Sequence, residues 1–306
     1  MTDRPPVIAL TGGTGFVGST LIDLALARGI TLNALTRTPR DDRPGLSWIT
    51  GTLEDRDALD RLCSGADVVV HVAGAVNAPD RKGFDRANRL GTQNMIDAAR
   101  RSSVPRFVHV SSLAAREPAL SDYGWSKAEA ENCVTASDLR WSIVRPPAIY
   151  GPRDTEMLDL FRMAQRGLIL LPPHGRMSAI HVADLVALLL ALAMSDMADG
   201  KVLEADDGRP GAWTHAEFAG ALAKAVGRPA RALHMPGWLV RLAARADRLA
   251  RGTGAKLTPD RARYMVHDDW TADPAKQPPP SLWAPAIDTV QGLADTVAWY
   301  REQGWL

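Results

Sequence analysis

Along the first half of the chain, short apolar runs alternate with stretches of helical period. Val7 to Leu10 is brief, apolar and unbroken by polar residues, which reads as a buried strand. Residues 18–28 then set Leu21, Leu24 and Ala25 on one helical face, and Gly29 supplies a stop. Further strands are predicted at residues 31–35 and around Trp48 and Ile49, followed by a helix at 55–63. Residues 68–72 (Val-Val-Val-His-Val) are almost continuously apolar, the pattern of a strand covered on both faces. A helix at 85–102, a strand at 106–110, a helix at 123–134 and a strand at 141–145 continue the rhythm. Alternation of this kind calls for an α/β fold, a Rossmann-type doubly wound parallel sheet with right-handed crossovers.

After Pro152 the rhythm breaks and the composition turns to Pro, Trp and Arg. Two later pieces still read as core, a helix at 182–194 and a strand at 201–205. The expected organisation is therefore a dinucleotide-binding domain, 1–151 with 178–205, and a smaller, mostly helical substrate-binding domain, 152–177 with 206–306. Pro278, Pro279 and Pro280 read as a stiff connector.

The chain has 306 residues, 46% hydrophobic and 23% charged, with 36 basic against 35 acidic side chains. So even a balance provides no field to draw it to nucleic acid or to a membrane. Cys63 and Cys133 are its only cysteines, too few for a disulfide framework or a zinc site, and no metal site is expected. No signal-peptide pattern precedes the first strand, and the longest apolar stretch is shorter than a membrane span and contains Asp184. These features lead to the expectation of a cytoplasmic protein with a small-molecule substrate, no integral membrane segment, and a homodimer as an allowed assembly.

Candidate chemistry begins at residues 11–18, Thr-Gly-Gly-Thr-Gly-Phe-Val-Gly. Gly12, Gly15 and Gly18 lie between a predicted strand and a predicted helix. One glycine makes the turn, one lets backbone approach a pyrophosphate, and one lets helix pack on strand; the helix N-terminus with Phe16 and Val17 then faces the anion. An NAD-selective fold places an acid about 20 residues on to bind the ribose 2′-hydroxyl. That position here reads Leu35-Thr36-Arg37-Thr38, with Arg40 after it. No acid stands there to repel a 2′-phosphate and a guanidinium is present to pair with one, so NADP(H) is favoured over NAD(H).

Tyr123 and Lys127, four apart on a predicted helix, share a face. A phenol has a pKa near ~10 and needs a neighbouring cation to serve as a base at neutral pH. Ser111 and Ser112 end a strand 11–12 positions earlier, at the carboxyl edge where doubly wound sheets bind ligands. A hydroxyl there is placed to hold a substrate oxygen toward Tyr123.

With these pieces the chain resembles the extended short-chain dehydrogenase/reductases, the epimerase/dehydratase-like group that also includes dihydroflavonol reductases and 3β-hydroxysteroid dehydrogenases. The resemblance rests on residues 11–18, 70–74, Asn88 with Gly91 and Thr92, 108–112, 123–127 and 145–152, and more loosely on 178–184 and the tail. It implies that Tyr123 is the general acid/base, that Lys127 lowers its pKa and binds the nicotinamide ribose, and that Ser112 holds the substrate oxygen, with Ser111 as fallback. It further implies that Ala73 and Gly74 line the adenosine and pyrophosphate side, that Asn88 supports a water-linked proton relay, and that Pro146, Pro147 and Ala148 border the carboxamide. Where many members carry Asp to bind the adenine amino group, this chain has Thr52, leaving the backbone of Leu53 for that contact.

His71, His109 and His181 sit in apolar runs and read as satisfied core histidines; Asp184 reads as a charge near a helix start. Residues 238–251 form an amphipathic helix in which Arg241, Arg245 and Arg248 line one face with Leu242, Ala246 and Leu249 roughly opposite. The plain expectation is a domain helix with a solvated basic face; the sharper one is a membrane-surface or anionic contact. The activity these residues imply is hydride transfer between nicotinamide and a CH–OH/C=O pair. Two rivals remain: a nucleotide-sugar epimerase or dehydratase that keeps NAD bound, and a non-catalytic accessory subunit of a respiratory complex. Arg37 and the short Ser112–Tyr123 spacing weigh against the first, the retained Tyr–Lys pair against the second.

Overall fold

The computed structural model describes residues 6–255 and 257–306. The apolar runs become β1 (Val7–Thr11), β2 (Thr31–Thr36), β3 (Leu46–Thr50), β4 (Val68–His71), β5 (Arg106–Val110), β6 (Arg140–Val144) and β7 (Lys201–Leu203). They form one parallel sheet in the order β3-β2-β1-β4-β5-β6-β7. The helices are α1 (Phe16–Ala27), α2 (Arg56–Cys63), α3 (Gly91–Arg101), α4 (Asp122–Thr135), α5 (Leu158–Gln165), α6 (Val182–Met194), α7 (His215–Val226), α8 (Gly237–Arg251), α9 (Pro259–Met265) and α10 (Thr289–Glu302).

The two-residue period of the strands divides the core into two layers. Ile8 and Leu10 of β1 face α1 and α6, among Leu21, Ile22, Leu185 and Leu189. Ala9, between them, faces α2 and α3, among Leu59, Leu62, Met95 and Ile96. A separate core joins α5, α7 and α10 through Phe161, Leu222, Val297 and Tyr300. No helix among the described residues is long and apolar enough to cross a membrane.

Three features depart from the pattern read along the chain. The helix expected at 85–102 begins as a short turn, Arg81–Phe84, and a π-helical segment, Asp85–Leu90, before α3; the wider coil turns Asn88 inward. Short strands also appear beyond residue 152. Leu168–Leu171 pairs with Arg231–His234, and Arg176–Met177 lies between Trp213–Thr214 and Asp269–Trp270. Two to four residues are too few to set a period. Finally, part of 206–306 packs with the sheet rather than with the smaller unit: Trp283 is buried in the core beside α6, and its indole N–H donates to the Asp184 carbonyl at 3.0 Å.

Among the core histidines, His71 and His181 have partners: His71 bonds Thr11 and Thr92, and His181 Nδ1 accepts from the Ala183 N–H. His109 differs. It is fully buried, stacks on His71 at 5.5 Å, and neither ring nitrogen has a hydrogen-bond partner among the described residues. Burial, and secondarily Lys127, keep it neutral.

Asp184 does more than start a helix. Its buried carboxylate accepts the N–H groups of Ala286 and Ile287 at 3.1 and 3.0 Å, tying the tail to α6. Asp184→Ala removes the acceptor of two part-buried backbone N–H groups and is expected to cost about 1–3 kcal/mol. Denaturant unfolding checks this; a loss below about 0.5 kcal/mol contradicts the tether.

Candidate active site

Between β1 and β4 the strand order reverses, and their carboxyl ends open a crevice. Gly12 turns the chain with φ of 76°, and a Cβ on it would lie 2.8 Å from the Ala73 nitrogen. A Cβ on Gly18 would run into the Gly12 carbonyl, so the turn packs directly on α1. Gly15 caps α1 without a side-chain hydrogen bond, and the first turn holds no acid. The N–H groups of Phe16 and Val17 therefore have no partner within the helix, and its positive dipole end is uncompensated. A cradle of this kind fits a dinucleotide pyrophosphate.

The crevice is stitched at its base. Thr11 Oγ1 accepts from the Ala73 N–H at 3.2 Å and shares a hydrogen bond of 2.7 Å with His71 Nδ1, while His71 Nε2 shares one of 3.1 Å with Thr92 Oγ1. Burial, followed by the Lys127 charge, holds the His71 pKa down at about 3, so the ring is neutral and one of its nitrogens donates while the other accepts. Asn88 fixes the next stretch. Its Oδ1 accepts from the Ala75 N–H at 2.7 Å, while its Nδ2 donates to the Ala75 carbonyl and to Ser126 Oγ. The amide thus holds the Ala73–Gly74–Ala75 loop, with both its hydrogens committed, rather than standing free in a proton relay. A Cβ on Gly74 would meet Asn88 Oδ1 at 2.9 Å.

On the side of β2, a cleft of about 590 Å³ adjoins the glycine turn, lined by Gly13, Thr14, Arg40, Arg43, Trp48 and Arg153 among others. The Arg40 guanidinium lies 5.4 Å from the Trp48 ring centroid. Arg37 is exposed just past β2 and does not line this cleft. Arg40, Arg43 and Arg153 are the cations that line it, with Asp41 and Asp23, the latter paired with Arg153 at 2.7 Å. Thr52 Oγ1 accepts from the Glu54 N–H, and the Leu53 carbonyl accepts from Asn94 at 2.8 Å, so that carbonyl is already engaged. Pro146 is buried and accepts from the Leu113 N–H; Ala148 opens the short strand Ala148–Tyr150.

Helix α4 brings Tyr123 and Lys127 to the crevice. Ser121 caps it, accepting from the Gly124 N–H. A second cap comes from far along the chain: the Asp260 carboxylate accepts the N–H groups of Asp122 and Tyr123 at 2.7 and 3.3 Å. The Tyr123 ring sits between Phe84 and Tyr264, each 6.0 Å away by ring centroids. Burial pushes its hydroxyl up to about 12, against the opposing effects of a hydrogen bond from Ser112 and the charge of Arg261. Arg261 is itself paired with Glu156 at 2.8 Å.

Two expectations change here. Ser111 cannot share the substrate role, because its hydroxyl donates to Glu131, which Arg145 clamps with two bonds of 2.9 and 2.6 Å. Ser112, next along, is the serine that meets Tyr123. The hydrogen bond of Lys127 goes to the backbone rather than to the phenol. Its Nζ donates to the Val110 carbonyl at 2.7 Å, beneath Gly74, and Ser112 and Arg261 are the lowering groups. Burial brings Lys127 itself down to about 8, with Glu131 opposing. Asp260, Arg261, Tyr264 and Arg43 escaped the sequence reading; the only local signal for the first three is Thr258-Pro259, which opens α9 as a helix start.

A glycine cradle, a neutral stitched crevice and a Tyr–Ser–Lys cluster at one sheet edge define a dinucleotide-dependent enzyme of the doubly wound class. A family model described as NAD(P)H-binding matches residues 12–191. Over an alignment of 317 positions the chain is 37% identical to the ceramide reductase of Caulobacter vibrioides, covering 100% of this chain and 98% of that one. It is 33% identical over 232 positions to the 4-hydroxy-2-methyl-3-oxo-4-farnesyl-3,4-dihydroquinoline-1-oxide ketoreductase of Stigmatella aurantiaca, covering 66% and 68%. Among solved structures, MoeE5 in complex with UDP-glucose and NAD matches with TM-score 0.76 at 22% identity, over 97% of this chain and 99% of that one, a likeness of fold. The chain belongs to the extended short-chain dehydrogenase/reductases and is an NAD(P)-dependent oxidoreductase of that family.

Because Lys127 holds its proton to near 10.5 when unfolded and only to about 8 when folded, the unfolded chain binds the extra proton between those values. This group therefore makes stability rise with pH from about 8 to 10.5. Unfolding free energies of wild type and Lys127→Met should diverge in that window, in favour of wild type; a pH-independent difference contradicts the assignment.

Proposed function

We propose that the chain is an NADP(H)-dependent reductase of a ketone on a lipid of the ceramide class. The observation that carries the reaction type is the placement of Tyr123 and Lys127 on one face of α4, where Lys127 reaches the Val110 carbonyl at the carboxyl end of β5, just before Ser112. The substrate class rests on the full-length similarity to a ceramide reductase and on the aromatic surroundings of Tyr123. When bound, the nicotinamide supplies the hydride.

The protein's own part is proton delivery and orientation. With its pKa raised to about 12, Tyr123 is protonated throughout the neutral range and can give its proton to the carbonyl oxygen. Ser112 donates to the same oxygen and sets its direction. Lys127, near the Gly74 loop, is placed to hold the nicotinamide ribose. Phe84 and Tyr264 flank the Tyr123 ring and make its surroundings largely apolar. The NADP(H) preference is supported by the absence of an acid at 36–38 and by Arg40 and Arg43 beside the glycine turn.

Tyr123→Phe should lower kcat by roughly 10³-fold or more while NADPH binding stays within about twofold, as expected for loss of a general acid. Steady-state kinetics and fluorescence titration measure both; retained turnover sinks the role. Arg40→Ala with Arg43→Ala should weaken NADPH binding by about tenfold or more and leave NADH binding nearly unchanged. Equal losses for the two cofactors would contradict the preference.

A further inference from the structure

We infer that the outward face of α8 is a docking surface for a bilayer containing anionic phospholipid. The structure reverses the helix from its sequence reading. Val240 and Ala244 are the residues packed inward, while Trp238, Leu242 and Leu249 stand outward at 61%, 54% and 88% exposure. At about 100° per residue, Trp238, Leu242, Arg245 and Leu249 fall within a stripe of about 60°. Arg241 and Arg248 flank it, also exposed. Apolar side chains are therefore set among cations on one solvent-facing strip, whereas a solvated helix face would be polar.

The charges select the occupant. Arg241 and Arg245 have no acidic partner among the described residues. The helix's one acid, Asp247, is turned to the protein, accepting the Leu257 N–H at 2.9 Å and pairing with Arg251 at 3.1 Å. A cationic strip with no exposed acid complements anionic headgroups. Tryptophan and leucine suit the headgroup–acyl boundary, and arginine can extend to phosphates while its stem stays among apolar groups. The strip also continues toward the crevice. Asn77 donates to the Ala255 carbonyl and Arg248 to the Pro79 carbonyl, each at 3.4 Å, so the loop after β4, with Val76 54% exposed, is tied to the end of α8. That loop begins at the Gly74–Ala75 segment held by Asn88. Docking by this face sets the mouth of the crevice against the bilayer, whichever substrate it takes.

Flotation of the full-length protein with phosphatidylcholine vesicles, with and without phosphatidylglycerol, tests the proposal. Wild type should float with the anionic vesicles and less so as salt rises. Trp238→Ser/Leu242→Ser/Leu249→Ser should lose about tenfold or more in partitioning, and Arg241→Gln/Arg245→Gln should lose the preference for phosphatidylglycerol. All five positions are exposed, so NADPH binding and melting temperature should match wild type and show the variants folded. Failure of wild type to float with anionic vesicles, or undiminished flotation of the folded triple variant, overturns the proposal. So does a wild-type dimer in sedimentation velocity that the triple variant converts to monomer, which would assign the strip to a second copy of the chain.

Discussion

The reversal of strand order between β1 and β4 is the constraint on which the rest of the molecule depends. Two strands whose exits run to opposite sides leave a crevice, and a crevice floored by buried polar groups must satisfy them. Thr11, His71, Thr92 and the Ala73 N–H do so as one chain of hydrogen bonds. Gly12 then fits against Ala73 because it lacks a side chain, and Asn88 carries the same order outward to Gly74 and Ala75. The cradle for the phosphates and the platform beneath Lys127 are parts of one stitched edge.

The second lobe is not a passive lid. Asp260 caps the helix that bears Tyr123, Tyr264 covers its ring, and Arg261 opposes the rise in its pKa. The surroundings of Tyr123 are thus set jointly by the sheet edge and by α9. Beneath it, Arg145 links Glu131 and the buried Glu204, so the carboxylate that engages Ser111 is compensated. This arrangement separates the two adjacent serines, since only Ser111 is built into the scaffold through Glu131.

What could be read from the chain alone was local. Glycine spacing after a strand, a Tyr–Lys pair at four residues and apolar runs of strand length each depend on neighbours in sequence, and they located the sheet, the glycine turn and the tyrosine–lysine helix at its edge. What could not be read depends on distant partners. Nothing near Asp260 says that it caps a helix 138 residues away. Nothing near Ser111 names Glu131 as its acceptor, and the length of Lys127 allowed it to reach Val110 instead of the phenol. The orientation of α8 failed for a different reason: apolar residues lie on both of its sides, so periodicity could not say which side was buried, and packing of Val240 and Ala244 decided it.

The central claim is net hydride transfer to a lipid ketone at the Tyr123–Ser112 edge. Its most direct test is turnover of a ceramide-class ketone with NADPH carrying deuterium at its transferable position, followed by mass spectrometry of the product. The account predicts one deuterium on the new carbinol carbon for each NADPH oxidised. Product formed without net NADPH oxidation, or with the carbinol hydrogen drawn from solvent, would contradict it.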